Sequence, residues 1–164
     1  MIGNDIVDLK LARTQSNWKR KNFLSKIFTI KEQMFINQST SPEIEVWKLW
    51  SRKEAVYKIY NRQTGIRGFF PWKLKCSIES YSDASSLGCV SIDGIDYSTK
   101  TIFNADFIYT IAANSLEVFD KIIDVRNDYE VIKIDELPYM KFSLKPVSIS
   151  HHGRFERKIT LIDS

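Results

Sequence analysis

The segment SPEIEVWKLWSRKEAVYKIYN, residues 41–61, predicts a long helix. Ser41 followed by Pro42 is typical of a helix start, because the first helical residue has no use for the N–H that proline lacks. Two glutamates in the first turn add negative charge at the positive end of the helix dipole. We therefore predict one helix that begins at Pro42 and ends near Asn61.

One face of this helix carries Glu54 among three aromatic side chains, Trp47, Trp50 and Tyr57, with Lys58 one turn further on. A carboxylate in such surroundings is partly desolvated, so it is expected to hold a proton, to pair with Lys58 or to bind a cation. The alternative is an ordinary surface pair, which contributes only about 0.2–0.5 kcal/mol. Taken alone, the helix favours the ordinary pair.

An acid also lies on an apolar strand face near the start of the chain. Residues 2–9 predict a strand whose alternation places Asp5 beside Val7 and Leu9. If Asp5 and Glu54 meet in space, they offer oxygen ligands for a hard cation, since Mg²⁺ is usually held by few protein groups and by substrate phosphates.

His151 has a similar position near the other end of the chain, where it follows Val147 and Ile149 on one face of a predicted strand. A single histidine on an apolar face is more often a hydrogen-bonded core residue than a catalytic one. The end of a strand can nevertheless turn a side chain towards a cleft, so both interpretations stay open.

The remaining pattern predicts an α+β domain in which an antiparallel sheet packs against the long helix and shorter helices. Residues 17–38 predict two helices separated near Thr29, which is expected to cap the second with Glu32. Further predicted elements are strands at 73–79 and 87–92, a hairpin within 96–115, a weak helix at 116–126 and two final strands around Gly153. Residues 1–164 are expected to form a single domain.

Composition predicts a soluble globular protein of the cytoplasm. The chain has 164 residues, of which 43% are hydrophobic and 27% are charged, and its net charge is +4. It contains no apolar run of membrane-spanning length and no pattern of a signal peptide, so no membrane partner is expected. Cys76 and Cys89 have no metal-ligand spacing and are expected to be reduced thiols.

Positive charge is concentrated early in the chain. Between residues 10 and 31 there are seven Lys or Arg side chains and no Asp or Glu: Lys10, Arg13, Lys19, Arg20, Lys21, Lys26 and Lys31. Such a field attracts an acidic protein, a nucleic acid or a phosphorylated small molecule. An ordinary solvated helix face explains the same composition equally well.

Five short motifs, in order, resemble the 4'-phosphopantetheinyl transferase superfamily, and most of all its small holo-acyl-carrier-protein synthase type. They are IGNDIVDL (2–9), FTIKEQ (28–33), WSRKEAVYK (50–58), TGIRGFF (64–70) and PVSISHHGRFERKITLID (146–163). The third is the most specific. No family motif matches residues of about 85–145, which we therefore treat as an insertion of unassigned role.

The resemblance implies the family's fold and its reaction, the Mg²⁺-dependent transfer of 4'-phosphopantetheine from coenzyme A to a serine of an acyl or peptidyl carrier protein, with release of 3',5'-ADP. It implies that Asp5 and Glu54 hold the metal and that Glu54 activates the serine or orients its base. Lys58 would contact a phosphate oxygen, His151 a phosphate of coenzyme A, and Gly65 the coenzyme A pocket.

The resemblance also implies partners. The basic run would steer the acidic helix of a carrier protein, with Arg13 and Arg20 as leading candidates, in fatty acid biosynthesis or another branch of lipid metabolism. A single copy of the family's half-domain implies a site between subunits, as in a homotrimer. The resemblance implies no nucleic-acid partner. Two other classes remain: a non-catalytic basic module that binds an acidic protein or nucleic acid, and a structural oligomer.

Overall fold

A computed structural model describes residues 1–68, 70–125 and 129–162. Its helices are α1 (Leu9–Gln15), α2 (Phe23–Ile27), α3 (Ile30–Gln38) and α4 (Pro42–Thr64), and short 3₁₀ turns span Pro71–Lys73 and Leu116–Lys121. The long helix is confirmed, and it ends at Thr64 because Gly65 adopts a left-handed backbone with φ of 71°.

Ten strands complete the described chain: β1 (Ile2–Asp8), β2 (Lys75–Tyr81), β3 (Ser85–Ile92), β4 (Ile95–Phe103), β5 (Phe107–Ala113), β6 (Ile122–Asp124), β7 (Val131–Ile134), β8 (Leu137–Met140), β9 (Ser148–His152) and β10 (Phe155–Leu161). The central sheet is antiparallel in the order β1-β5-β4-β3-β2, and smaller sheets have the order β6-β10-β9 and β7-β8. The predicted α+β class with an antiparallel sheet is confirmed.

Helix α4 lies across the central sheet and contributes to two apolar clusters. Its first half packs Val46, Trp47 and Leu49 against the helices and β1, and its second half packs Val56 and Ile59 against the sheet. The burial of these side chains is the main term that holds the helix on the sheet. Strand β1 is at the edge of that sheet, directly beside the helix.

The small sheet that contains β9 docks on the free edge of β1 through side chains. Alternate N–H groups of β1 point away from β5, and three acceptors on β9 bind them: Asn4 N–H to Ser148 Oγ (3.0 Å), Ile6 N–H to Ser150 Oγ (2.9 Å) and Asp8 N–H to His152 Nδ1 (2.8 Å). We call this contact the β1–β9 seam. It satisfies the exposed donors of an edge strand without a main-chain ladder.

The early helices differ partly from the prediction. Thr29 does cap α3, because its side chain accepts from Glu32 N–H while the Glu32 carboxylate accepts from Thr29 N–H. The predicted helix from residue 17 is wrong before Phe23, since Asn22 has a φ of 64° that interrupts a helix. The chain instead turns directly from β1 into α1, which the Asp8 side chain caps.

The predicted helix at residues 116–126 is also wrong in its second half. A 3₁₀ turn ends at Lys121 and strand β6 follows, pairing with β10, while residue 126 lies outside the described residues. The segment of about 85–145 that we treat as an insertion contains β3, β4 and β5 of the central sheet and the separate β7–β8 hairpin. The extent of the insertion and the single-domain organisation stay predictions.

No helix in the described ranges is long and apolar enough to cross a membrane. Cys76 and Cys89 are free thiols, as predicted.

Candidate active site

A cavity of about 400 Å³ opens between β1, α4, the end of β9 and the basic segment before α2. Asp5, Glu54, His151 and His152 give it a polar wall, whereas Trp47, Trp50 and Phe23 are among the side chains of its apolar wall. The structure therefore brings Asp5, Glu54 and His151, predicted from separate motifs, to one cavity. Tyr57, expected beside Glu54, instead packs edge-on against Phe70 with the ring centroids 5.7 Å apart.

Asp5 reaches the cavity because β1 and α4 approach closely. A Cβ atom on Gly3 would lie 2.0 Å from the Ala55 carbonyl oxygen, so only glycine permits this crossing. Asp5 Oδ1 accepts a hydrogen bond from Ser150 Oγ at 3.2 Å. Asp5 Oδ2 is buried without a hydrogen-bond partner in the described part of the chain. The site thus holds a carboxylate oxygen that still lacks a donor or a cation.

The two carboxyl groups are electrostatically linked. Burial raises the pKa of Glu54 to about 7, and the negative charge of Asp5 adds to this rise while Lys58 opposes it. Burial also raises the pKa of Asp5, against the opposing effects of Lys58 and the hydroxyls of Ser51 and Ser150. Near neutral pH, Glu54 is therefore able both to accept and to release a proton.

Lys58 does not form the close ion pair with Glu54 that an ordinary surface pair would show. Its ammonium donates to the carbonyl oxygens of Asn4 (2.6 Å) and Ile149 (3.0 Å), and so connects α4 to both strands of the β1–β9 seam. Burial lowers the pKa of Lys58, whereas the charges of Asp5 and Glu54 raise it. An ammonium has three donors, so one N–H remains beyond these two bonds.

His151 does not have the environment of a core residue that one interpretation of its strand predicts. His151 was placed on the apolar face, yet it is exposed and lines the cavity, so the core interpretation is wrong. The face with Ser148 and Ser150 is the buried one, because it meets β1 at the seam. His152, at the end of that face, was not a predicted site residue and also lines the cavity.

The remaining predicted residues lie around this centre. Arg20 is exposed and lines the cavity at its basic side, with its guanidinium over the Phe23 ring. Arg13 is also exposed, but its Nε donates to Glu43 Oε2 at 3.1 Å. Gly65 is exposed at the end of α4 and is not one of the residues that line the cavity.

Next to Glu54 in the chain, Lys53 takes part in a buried ion pair that sequence reasoning missed. The neighbouring Lys53 ammonium donates to Glu32 Oε2 (2.8 Å) and to the carbonyl oxygens of Ile27 (3.0 Å) and Pro71 (2.9 Å). The Glu32 carboxylate also accepts from Cys76 N–H at 2.7 Å. The FTIKEQ and KEA motifs therefore meet in this contact, and their sequence likeness was the available signal.

Sequence reasoning also missed a contact between Asp8, at the end of β1, and Arg154, which follows β9. The Asp8 carboxylate caps α1 and accepts from Arg154 Nε and Nη2, both at 2.9 Å. These hydrogen bonds hold the pKa of Asp8 well below its usual range. No short sequence motif indicates a pair between residues so far apart.

The donor set fits a hard cation held partly by substrate. Within residues 1–68, 70–125 and 129–162, no cluster of three or more His, Cys, Asp or Glu side chains forms a complete metal cage. Asp5 and Glu54 are nevertheless two carboxylates on one cavity wall, one of them with an unpartnered buried oxygen. Two carboxylates plus phosphate oxygens and water are a common ligand set for Mg²⁺.

The fold and the site define a class of α+β proteins with an acidic centre between an edge strand and a long helix. A model of the 4'-phosphopantetheinyl transferase superfamily matches residues 1–112 of the 164. The chain belongs to the 4'-phosphopantetheinyl transferase superfamily. The matched range includes Asp5, Glu54, Lys58 and Gly65 and ends before the β9–β10 hairpin with its two histidines.

Several proteins named holo-acyl-carrier-protein synthase are similar to the chain. The protein of Caldanaerobacter subterraneus subsp. tengcongensis is 37% identical over 68 residues, which are 42% of this chain and 51% of that protein. The protein of Clostridium perfringens is 42% identical over 69 residues, 42% of this chain and 49% of that protein. The protein of Protochlamydia amoebophila is 32% identical over 93 residues, 56% of this chain and 70% of that protein. The chain thus spans about half the length of the first two relatives.

Proposed function

We propose that this chain transfers the 4'-phosphopantetheine group of coenzyme A to a serine of an acyl or peptidyl carrier protein and releases 3',5'-ADP. The observation that carries the proposal is the meeting of Asp5 and Glu54 in one cavity, with Asp5 Oδ2 buried and unpartnered and the pKa of Glu54 near 7. Family membership and the names of the relatives support the same reaction.

Asp5 and Glu54 would hold Mg²⁺ through carboxylate oxygens, and the bound ion would neutralise charge on the pyrophosphate. Ser150 would orient Asp5 for this role through its hydrogen bond to Oδ1, and the buried, unpartnered Oδ2 would be left to bind the cation. Carboxylate ligands and substrate phosphates together complete a site that the described residues leave incomplete.

In the proposed transfer, the serine hydroxyl of the carrier protein attacks the phosphorus that carries the pantetheine arm. The new O–P bond forms as the bond to the bridging oxygen of the pyrophosphate breaks, and 3',5'-ADP leaves with that oxygen. Glu54 takes the serine proton directly or through one water, for which a pKa of about 7 is well matched. Lys58 does not line this cavity, but its charge acts on Glu54, and it would contribute positive charge to the leaving phosphate.

The remaining assignments follow the family resemblance. We propose that His151, exposed at the cavity, contacts a phosphate of coenzyme A, and that Gly65 belongs to the coenzyme A pocket beyond the described cavity. Arg20, with Arg13 further away, would steer an acidic carrier protein towards the opening. A homotrimer with sites between subunits and a part in fatty acid biosynthesis remain proposals of the same kind.

Incubation with coenzyme A, Mg²⁺ and several apo carrier proteins tests the proposal. Mass spectrometry should show one phosphopantetheine added to the carrier, and far slower addition when Glu54 is replaced by Gln. A chain that binds coenzyme A yet modifies none of the carriers would contradict the transferase assignment. A chain that binds acidic proteins or nucleic acid but no coenzyme A would instead favour the non-catalytic basic module.

A further inference from the structure

His152 is the one member of the β1–β9 seam that is a ring and not a hydroxyl. Its Nδ1 accepts the Asp8 N–H at 2.8 Å, a position that the two serines of the seam fill with Oγ. An Nδ1 atom that accepts a main-chain N–H carries a lone pair and no proton. A neutral ring with an unprotonated Nδ1 has its proton on Nε2.

The His152 ring lies at the cavity. His152 is half-buried and lines the same wall as Asp5 and Glu54. In the described part of the chain, no protein acceptor binds Nε2–H. The seam therefore holds an imidazole whose Nδ1 is bound to β1 and whose other ring nitrogen is available to a ligand.

We propose that His152 is a substrate-binding residue that donates its Nε2–H to a phosphate oxygen in the cavity. This inference rests on the proposed function, which places a pyrophosphate beside Asp5 and Glu54. A pyrophosphate offers several acceptor oxygens, and a donor held by the fold needs no rearrangement to meet them.

The same geometry excludes His152 as the base that activates the serine. Nδ1 already accepts the Asp8 N–H, and Nε2 already carries a proton, so neither nitrogen is free to take another without loss of the seam bond. Burial raises the pKa of Glu54, on the same wall, to about 7. In this proposal His152 binds the substrate, and Glu54 accepts the proton of the serine hydroxyl.

Two substitutions separate the donor from the seam. In His152→Asn, Oδ1 can take the place of Nδ1 and accept from Asp8, but the Nε2–H donor is lost. In His152→Gln, the side-chain amide can place a donor near the position of Nε2, but the bond to Asp8 is lost. We expect His152→Asn to keep the melting temperature and to lower kcat/KM for coenzyme A by roughly 10- to 100-fold. His152→Gln should show the reverse, a lower melting temperature with most of kcat/KM retained.

Ser148→Ala is the matched control. It removes the seam bond to Asn4 N–H, together with the hydrogen bond that Ser148 Oγ donates to Asn4 Oδ1, at a residue that does not line the cavity. It should lower the melting temperature and leave kcat/KM unchanged. If Ser148→Ala and His152→Asn reduce kcat/KM equally, the effect belongs to the seam and the donor assignment is overturned.

Nuclear magnetic resonance tests the ring directly in the full chain. A scalar coupling between the Asp8 amide nitrogen and His152 Nδ1 should be observed, and coenzyme A or inorganic pyrophosphate should shift Nε2 and not Nδ1. An Nδ1–H tautomer, a doubly protonated ring or an unchanged Nε2 overturns the inference.

The two proposals fail in different ways. If the His152→Asn variant modifies a carrier protein at the normal rate, the proposed function stands and the His152 assignment is overturned. If the wild-type chain modifies no carrier protein, the proposed function is overturned. The response of Nε2 to inorganic pyrophosphate then decides the His152 assignment alone.

Discussion

Asp5 on β1 and Glu54 on α4 line the same wall of one cavity, and the charge of Asp5 adds to burial in raising the pKa of Glu54 to about 7. Two acids held together in this way are costly to the fold unless a proton or a cation relieves them. We therefore expect changes at these two residues to alter activity, stability and metal binding.

Replacement of Glu54 by Gln should lower the rate of phosphopantetheine transfer by about 100-fold or more, because a positioned general base contributes roughly 10²–10⁴. Initial rates at saturating coenzyme A measure this. Glu45→Gln is the control on the same helix, since Glu45 pairs with Lys48 at 3.0 Å, away from the cavity. It should reduce stability and leave the rate intact, and equal rates for the two variants would contradict the role of Glu54.

Without metal, the folded chain should lose stability as the pH rises from about 4.5 to about 7. Across this range the carboxyl of Glu54 is ionised in the unfolded state but still protonated in the folded state, because its pKa is raised from 4.5 to about 7. The resulting loss in the free energy of unfolding is on the order of 3 kcal/mol. Urea unfolding at about pH 5 and about pH 8 should show this fall in the wild type and a smaller one in Glu54→Gln. Parallel curves would show that burial of Glu54 does not perturb its ionisation.

Mg²⁺ should bind more tightly as the pH rises from about 6 to about 8, because the ion competes with a proton on Glu54. Calorimetric titration in two buffers with different ionisation enthalpies should reveal proton release on binding. Glu54→Gln should release fewer protons than the wild type and bind the metal weakly. An affinity independent of pH would place the ion away from Glu54.

Gly3→Ala should disrupt both the fold and the site. The added Cβ would lie 2.0 Å from the Ala55 carbonyl oxygen, so β1 must move away from α4 and take Asp5 with it. Overpacking of this kind costs about 1–3 kcal/mol, and Mg²⁺ affinity should fall as well. Gly94→Ala is the control, because Gly94 has a φ of 79° and open space at Cβ. It should cost about 1–2 kcal/mol of backbone strain without any effect on metal binding.

Charge reversal at Arg20 and Lys21 should lower kcat/KM for the carrier protein by about 10-fold at low salt, with a smaller loss at high salt. The KM for coenzyme A should change little. The pair Lys75→Glu and Lys100→Glu makes the same change of net charge on exposed residues of β2 and β4. Similar losses from both pairs would indicate an effect of net charge, and a comparable loss in coenzyme A binding would assign Arg20 and Lys21 to the nucleotide.

Local patterns were reliable where neighbouring residues carry the information. Pro42 and the glutamates after it predicted the start of α4, and the Thr29–Glu32 capping box predicted the start of α3. The same reasoning missed α1, because residues 2–9 were predicted as one strand, whereas Leu9 begins the helix that Asp8 caps. It also misjudged the faces of β9, since alternation shows that two faces differ but not which one meets β1.

Sequence by itself determined the class of the fold, the long helix and the family motifs, since these depend on periodicity, capping and short local patterns. Tertiary structure decided which groups act together. Asp5 meets Glu54 only because Gly3 lets β1 cross α4 closely, and Lys58 binds carbonyl oxygens of two strands and not its helical neighbour. The position of His152 is fixed by the hydrogen bond that its Nδ1 accepts from the Asp8 N–H. Contacts between residues so distant in the chain depend on how the sheets dock, which no local pattern encodes.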